Sequence, residues 1–309
     1  MRVVQEINNT LHKLMSEYKD LIVIGEDILD PYGGAFKATK GLSTNHPKRV
    51  ITTPISEESL IGFASGLAMQ KKPVIAEIMF GDFLGLAFDQ IINHISKFIW
   101  IFNDVRMPLI IRTPMGGGRG YGSTHSQSIE KHFCGIAGLN VAAIDQYMDI
   151  EKTYFNFIKS EKPTLLIENK ILYGREMKKN FKFQKHDKPD IICITYGGSV
   201  EICVNAAKKL LEEEEILVEI FPIRQLSPIN GHLIKNLKRK SKKFLFVEEG
   251  GGGWGFSEVC SSYLVGGDKI DVEFVTGPNH PIPGSKKWEL NVLPNESRVS
   301  KTIINLFNK

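Results

Sequence analysis

The chain has 309 residues, 42% hydrophobic and 24% charged, which is material for about two globular domains with real cores. Its net charge of +4 is mild, and its most basic run, residues 235–243 (KNLKRKSKK), carries no interleaved aromatics, which argues against a nucleic-acid binder. No apolar run approaches the roughly 20 residues of a membrane span. The four cysteines, Cys134, Cys193, Cys203 and Cys260, are scattered without CxxC or CxxH spacing, which argues against zinc or a disulfide framework and for a reduced, cytoplasmic setting.

In chain order, the N-terminal segment MRVVQEINNTLHKLMSEY reads as an amphipathic helix and not as a targeting peptide. Short Val- and Ile-rich runs follow as strands at 21–24, 50–52, 73–78, 109–112, 141–144 and 164–167. Between them, 84–102 reads as one long helix, with apolar residues at 84, 88, 91, 92, 95, 98, 99 and 102 tracing a single stripe. The lysine-rich stretch 175–189 (REMKKNFKFQKHDKP) loses all period and reads as a linker. The alternation then restarts, with strands at 191–195, 216–221, 244–247 and 272–275 and a helix from Ser199. Strands alternating with helices imply an α/β fold of two domains, each a mostly parallel sheet covered by helices. The expected boundaries are 1–175 for the first domain, 176–189 for the linker and 190–309 for the second.

Open parallel sheets bind ligands beyond the carboxyl ends of their strands, so those positions are where chemistry is sought. They hold Glu26 after the first strand, Thr53-Pro54-Ile55-Ser56-Glu57 after the second and Phe83 after the third, with the stretch to His125 after the fourth. Each has a plain alternative. Ser56 suits a helix cap, and acids in the first helical turn suit the dipole. Phe83 suits a core, and His125 a hydrogen-bonded surface position. The glycine-rich loop 116–122 (GGGRGYG) lacks a P-loop lysine and reads as flexible chain near a binding site. The second glycine cluster, 250–253, reads as a turn opening a helix.

Taken together, the strings GEDILDPYGGAFKATKGL, TPISEESLIGFASGLA, AEIMFGDFLGLAFDQIINHISK, IIRTPMGGGRGYGSTHSQS and VTGPNHPIP resemble the beta subunit of the first component of 2-oxo acid dehydrogenases. That group covers the pyruvate, branched-chain and acetoin enzymes of the transketolase-like superfamily. The strings keep the family's order and span almost the whole chain. The resemblance implies a transketolase pyrimidine-binding domain followed by a transketolase C-terminal domain. It implies thiamin diphosphate as cofactor, with Glu57 as the carboxylate on its aminopyrimidine ring and Phe83 as the aromatic stacked there. It also implies His125 as the histidine facing substrate and acyl acceptor, with Glu26 joining a proton relay. A carboxyl in a poorly solvated pocket is suited to sharing a proton with the ring nitrogen.

The superfamily's GDG motif, which serves the diphosphate and Mg2+, is missing from this sequence. The resemblance therefore implies a separate alpha-type subunit holding Mg2+ and the diphosphate in an alpha2beta2 assembly, with no metal ligand expected from this chain. A lipoyl acyltransferase core is the family's further partner. Ser160 and Lys162 stand where the family places a potassium-binding Asp and Asn, so the Lys162 ammonium is expected in place of the ion. Gly284 replaces the aromatic usual after Pro-x-Pro. These departures leave open a specialised relative that transfers an acyl or ketol group to a sugar or biosynthetic intermediate, and, outside catalysis, a scaffold subunit.

Overall fold

The computed structural model describes residues 1–267 and 269–309. The chain forms two compact units. One comprises Met1–Met115 and Gly135–Lys179, the other Gly116–Cys134 and Asn180–Lys309. Residues 116–134 thus leave the first unit at the end of a strand and pack with the second, so the first unit is not continuous in sequence.

In the first unit, α1 (Val3–Glu17) buries Val3, Ile7, Leu11 and Leu14, a stripe at i+3 and i+4 spacing that packs against the sheet core. The elements β1 (Ile22–Gly25), α2 (Leu42–Asn45), β2 (Val50–Thr52), α3 (Glu57–Met69) and β3 (Val74–Glu77) come next. Then come α4 (Ser96–Ile101), β4 (Leu109–Met115), β5 (Asn140–Ala143), α5 (Ile150–Ser160) and β6 (Thr164–Asn169). The strands run β2-β1-β3-β4-β6-β5, all parallel. From β1 the chain connects to one side, and from β3 to the other. The order therefore reverses between β1 and β3, which puts a topological switch point at the carboxyl ends of those two strands. Glu26 directly succeeds β1.

The expected long helix at 84–102 is instead three short pieces. A 3-10 helix (Gly81–Ala87) is succeeded by a π turn (Gln90–Ile95), and only then by α4. The Ser96 amide reaches back five residues to the Ile91 carbonyl, and its hydroxyl donates to the Ile92 carbonyl at 2.9 Å. The π turn absorbs an extra residue and rotates α4 relative to the turn before it. Leu84, Ile91 and Ile95 keep the buried stripe, while Phe98 and Ile99 are half-buried and Phe102 is exposed. Lys162, expected to stand in for a bound ion, is an exposed residue.

A buried charge cluster joins the central strands. Arg112 of β4 donates to both oxygens of Glu168 on β6 and to Glu77 on β3, and all three side chains are fully buried. The Tyr154 and Tyr173 hydroxyls also donate to Glu168. Glu77 in turn accepts the Ala35 amide at 2.9 Å, pinning the GGAFK loop beside the switch point. Burial works against the Arg112 charge, yet Glu168 and Glu77 lift its pKa above the ordinary guanidinium value.

The stretch 175–189 is irregular, but both of its halves are anchored. Met177 and Lys178 donate backbone hydrogen bonds to Met1 and Gln146, and Lys179 pairs with the buried Glu6. Beyond it, Phe181 and Phe183 form an edge-on pair, with the Lys208 ammonium 5.3 Å from the Phe181 ring. The second unit then comprises β7 (Ile191–Thr195), α6 (Ser199–Glu214), β8 (Val218–Pro222), β9 (Gln225–Ser227), α7 (Gly231–Leu237) and β10 (Lys243–Gly251). It closes with α8 (Phe256–Ser262), β11 (Asp271–Gly277), α9 (Lys286–Val292) and α10 (Glu296–Phe307). Its parallel four-stranded sheet has the order β11-β10-β7-β8. Three lysines of the basic run serve as tethers within this unit. Lys238 reaches the Gly266 carbonyl, Lys240 pairs with Glu219, and Lys243 reaches the Phe307 carbonyl. Among the described residues, no helix is long and apolar enough to cross a membrane.

Replacing Arg112 by methionine leaves two buried carboxylates without their cation. It should lower unfolding stability by about 3–5 kcal/mol, read as a drop in the urea midpoint. Adding Glu77→Gln and Glu168→Gln to Arg112→Met should recover part of that loss.

Candidate active site

The TPISE turn carries β2 into α3 and delivers two adjacent acids with opposite fates. Glu58 is exposed, whereas Glu57 is buried at 4% exposure. A helix dipole favours an acid in the first turn but does not require it to leave water. Burial of Glu57 therefore has a cost that dipole complementarity alone does not explain. Ser56 sits at the N-cap position, yet its hydroxyl does not cap the helix; it donates to the Ser59 hydroxyl at 2.9 Å. The Ser56 amide donates to Glu26 Oε1 at 3.2 Å. That hydrogen bond joins the turn after β2 to the residue after β1.

Glu26 and Glu57 are thus brought together as a buried carboxyl pair. The Glu26 pKa is raised, first by burial and then by the negative charge of Glu57, against the opposing pull of the Ser56 amide. Within the pair, Glu26 is the member whose charged form its surroundings disfavour. The Thr53 hydroxyl of the same turn is buried and has no hydrogen-bond partner among the described residues. Phe83 lies half-buried on the 3-10 helix after β3, which packs against α3. Its ring meets Phe80 edge-on, centroids 6.1 Å apart, and the ammonium of the fully buried Lys170 lies 5.2 Å from the Phe80 ring.

This donor set fits the aminopyrimidine half of thiamin diphosphate. It offers a buried carboxyl able to share a proton with a ring nitrogen, an aromatic neighbour, and a hydroxyl still lacking a partner.

His125 is carried by the second unit, at the end of the glycine-rich loop. It is half-buried, its Nδ1 is 2.9 Å from the Thr124 hydroxyl, and its amide donates to Gly122 O at 3.2 Å. The loop is not the loose chain its composition suggests. Gly118 donates its amide to Glu289 Oε1 at 3.0 Å, and Gly120 donates to Glu289 Oε2. Gly117 donates to Glu249 Oε1, which also accepts the Ser128 hydroxyl at 3.2 Å. Gly118 and Gly120 have φ of +88° and +82°, the left-handed conformations that let two alternate amides turn toward one carboxylate. The loop is an anion-binding nest, and the anion is the chain's own Glu289.

Further along, Glu130 accepts the Tyr196 hydroxyl, which also lies 3.2 Å from Glu248 Oε2. Lys131 donates to the Gly251 and Gly253 carbonyls at 3.3 and 3.1 Å. Burial pushes the Glu130 carboxyl up to about 7, with Glu248 and Glu249 adding to the rise and Tyr196 opposing it. Glu249, Glu289, Glu130 and Tyr196 escape a sequence reading. The Glu248-Glu249 doublet at the end of a Phe/Leu/Val run carried the same signal that marked Glu57, an acid at the carboxyl end of a parallel strand. Glu289, among the lysines of a short helix, carried none.

Residues 1–176 match the family of transketolase pyrimidine-binding domains, and residues 182–299 match the transketolase C-terminal domain. The beta subunit of acetoin:2,6-dichlorophenolindophenol oxidoreductase from Cupriavidus necator is 30% identical, over 95% of this chain and 94% of that protein. The beta subunit of the pyruvate dehydrogenase E1 component from Rickettsia conorii is 28% identical, over 97% and 96%. A solved chain described as a split-gene transketolase in an inactive beta4 tetramer matches with a TM-score of 0.81 at 19% identity. It covers 100% of this chain and 99% of its own, a likeness of fold.

Glu130 supplies a pH test of the second unit. Its folded pKa lies above the ordinary carboxyl value, so its stabilising contribution is complete below about pH 4.5 and is lost as the pH rises to about 7. Glu130→Gln keeps an acceptor for Tyr196 without the charge. It should raise the melting temperature by a few degrees above pH 7 and flatten its fall between those limits, read by calorimetry across pH.

Proposed function

The chain belongs to the transketolase-type family that joins a pyrimidine-binding domain to a transketolase C-terminal domain, and on that premise we propose that it is the beta-type subunit of a thiamin-diphosphate-dependent 2-oxo acid dehydrogenase. The observation that carries the reading is the burial of Glu57 against Glu26 at the switch point of the first sheet. Relatives named as beta subunits of pyruvate, acetoin and 3-methyl-2-oxobutanoate enzymes support it across 81–97% of the chain.

When bound, thiamin diphosphate supplies the electron sink for decarboxylation of the 2-oxo acid. The chain's own residues supply proton control. Glu57 holds a proton against the pyrimidine nitrogen, and Glu26, whose charged form is disfavoured by burial, acts as the reservoir behind it. Thr53 and Phe83 orient the ring. His125 faces the acyl acceptor, where an imidazole, able both to donate and to accept, is suited to move a proton.

The missing GDG string supports assigning Mg2+ and the diphosphate to an alpha-type partner in an alpha2beta2 assembly, with a lipoyl acyltransferase core as the acceptor. The four free thiols suit a reducing compartment, the cytoplasm.

Co-expression with the alpha-type subunit, assayed on a panel of 2-oxo acids with and without a lipoyl acceptor, tests the reading. Glu57→Ala should lower turnover by at least ~100-fold with assembly intact. Unchanged turnover removes Glu57 from the mechanism, and tight cofactor binding by the purified chain alone would refute the division of the site.

A further inference from the structure

The glycine-rich loop is held by acids far away in sequence, and His125 is the residue that loop presents. Glu289 is fully buried on α9, and its two oxygens accept the amides of Gly118 and Gly120, on either side of Arg119. Glu249, at the far end of β10, accepts the Gly117 amide and the Ser128 hydroxyl, so it grips the loop before and after His125. The fit leaves no slack. A Cβ at Gly117 would lie 2.7 Å from Glu289 Oε1 and 2.7 Å from Leu293 Cδ1, and one at Gly120 would lie 2.8 Å from Lys286 Cβ. Only glycine lets the backbone close on the carboxylate.

A buried carboxylate spent on backbone amides has a large desolvation cost, and ordinary loops are secured by turns and caps without one. What distinguishes this loop is its cargo. We propose that Glu289, assisted by Glu249, is a positioning residue for His125, fixing the loop so that the imidazole is held ready for the acyl acceptor. The proposal rests on the acceptor-side role of His125. It also accounts for the glycine richness of residues 116–122, which serves an internal carboxylate and not a nucleotide phosphate.

Two arms test it. In the purified chain, hydrogen exchange across 116–128 reads the anchor without cofactor or turnover. Glu289→Ala should speed exchange at Gly118 and Gly120 by ~10-fold or more, leaving β7 and β10 protected. The isosteric Glu289→Gln, which keeps one acceptor oxygen, should give a smaller effect and covers the case in which the alanine variant fails to fold. In the assembled enzyme, Glu289→Ala should lower kcat for acyl transfer with the KM for the 2-oxo acid unchanged, and should add nothing in a His125→Ala background.

Unchanged loop exchange, or losses that simply multiply with those of His125→Ala, overturns the positioning role alone. If His125→Ala leaves acyl transfer intact, the acceptor-side reading falls and this assignment falls with it, whatever the loop exchange shows.

Discussion

The first unit is organised around one guanidinium. Arg112 has no contact with water, and its charge is tolerable only because Glu77 and Glu168 take its hydrogen bonds from two sides. The three residues lie on adjacent strands, so the cluster ties β3, β4 and β6 together near their carboxyl ends. Through Glu77 it also holds the loop at Ala35, and through Glu168 it holds Tyr154 of α5 and Tyr173. A purely apolar core would pack as tightly, but it would not specify which loop lies beside which strand end. Directional, charge-assisted bonds do. The switch point between β1 and β3 inherits its floor from that cluster.

Carboxylates recur as the device that fixes chain at functional edges, and each is used differently. Glu77 and Glu168 are paired with a cation and serve structure. Glu26 and Glu57 lie close together, and burial first, then the Glu57 charge, disfavours the charged form of Glu26, which is a chemical property and not a mechanical one. Glu249 and Glu289 are satisfied by backbone amides and fasten the loop that bears His125. Glu130 shares the Tyr196 hydroxyl with Glu248 and fastens the far end of the same excursion. The residue type alone does not reveal the role; the partner does.

Much of the architecture was legible in the linear sequence because it arises from local periodicity. Short runs such as IICIT and VIT, rich in β-branched residues, form strands here, and the two-domain α/β alternation comes from their spacing. The long stripe at 84–102 misled for a definite reason. Apolar spacing reports which residues want burial, not how the backbone accommodates them, and a π turn at 90–95 preserves part of the stripe while breaking the helix. Ser56 misled similarly, since a serine before two acids is a good cap in general, but here its amide and hydroxyl have other partners.

The sequence by itself determined the alternation of strands and helices, the acids at the strand ends and the ordered strings whose family resemblance implies roles for Glu57, Phe83 and His125. The first two are properties of short windows, where side-chain pattern and turn chemistry act directly; the roles come from the resemblance alone. Tertiary structure alone decided that Glu57 is buried while Glu58 is not, that Glu26 is its neighbour, and that residues 116–134 pack with the second unit. It alone decided that the glycine loop closes on Glu289, about 170 residues away. Those outcomes depend on which strand ends meet and on which carboxylates find amides or cations after being taken out of water. Desolvation and long-range pairing of that kind leave no trace in a local pattern.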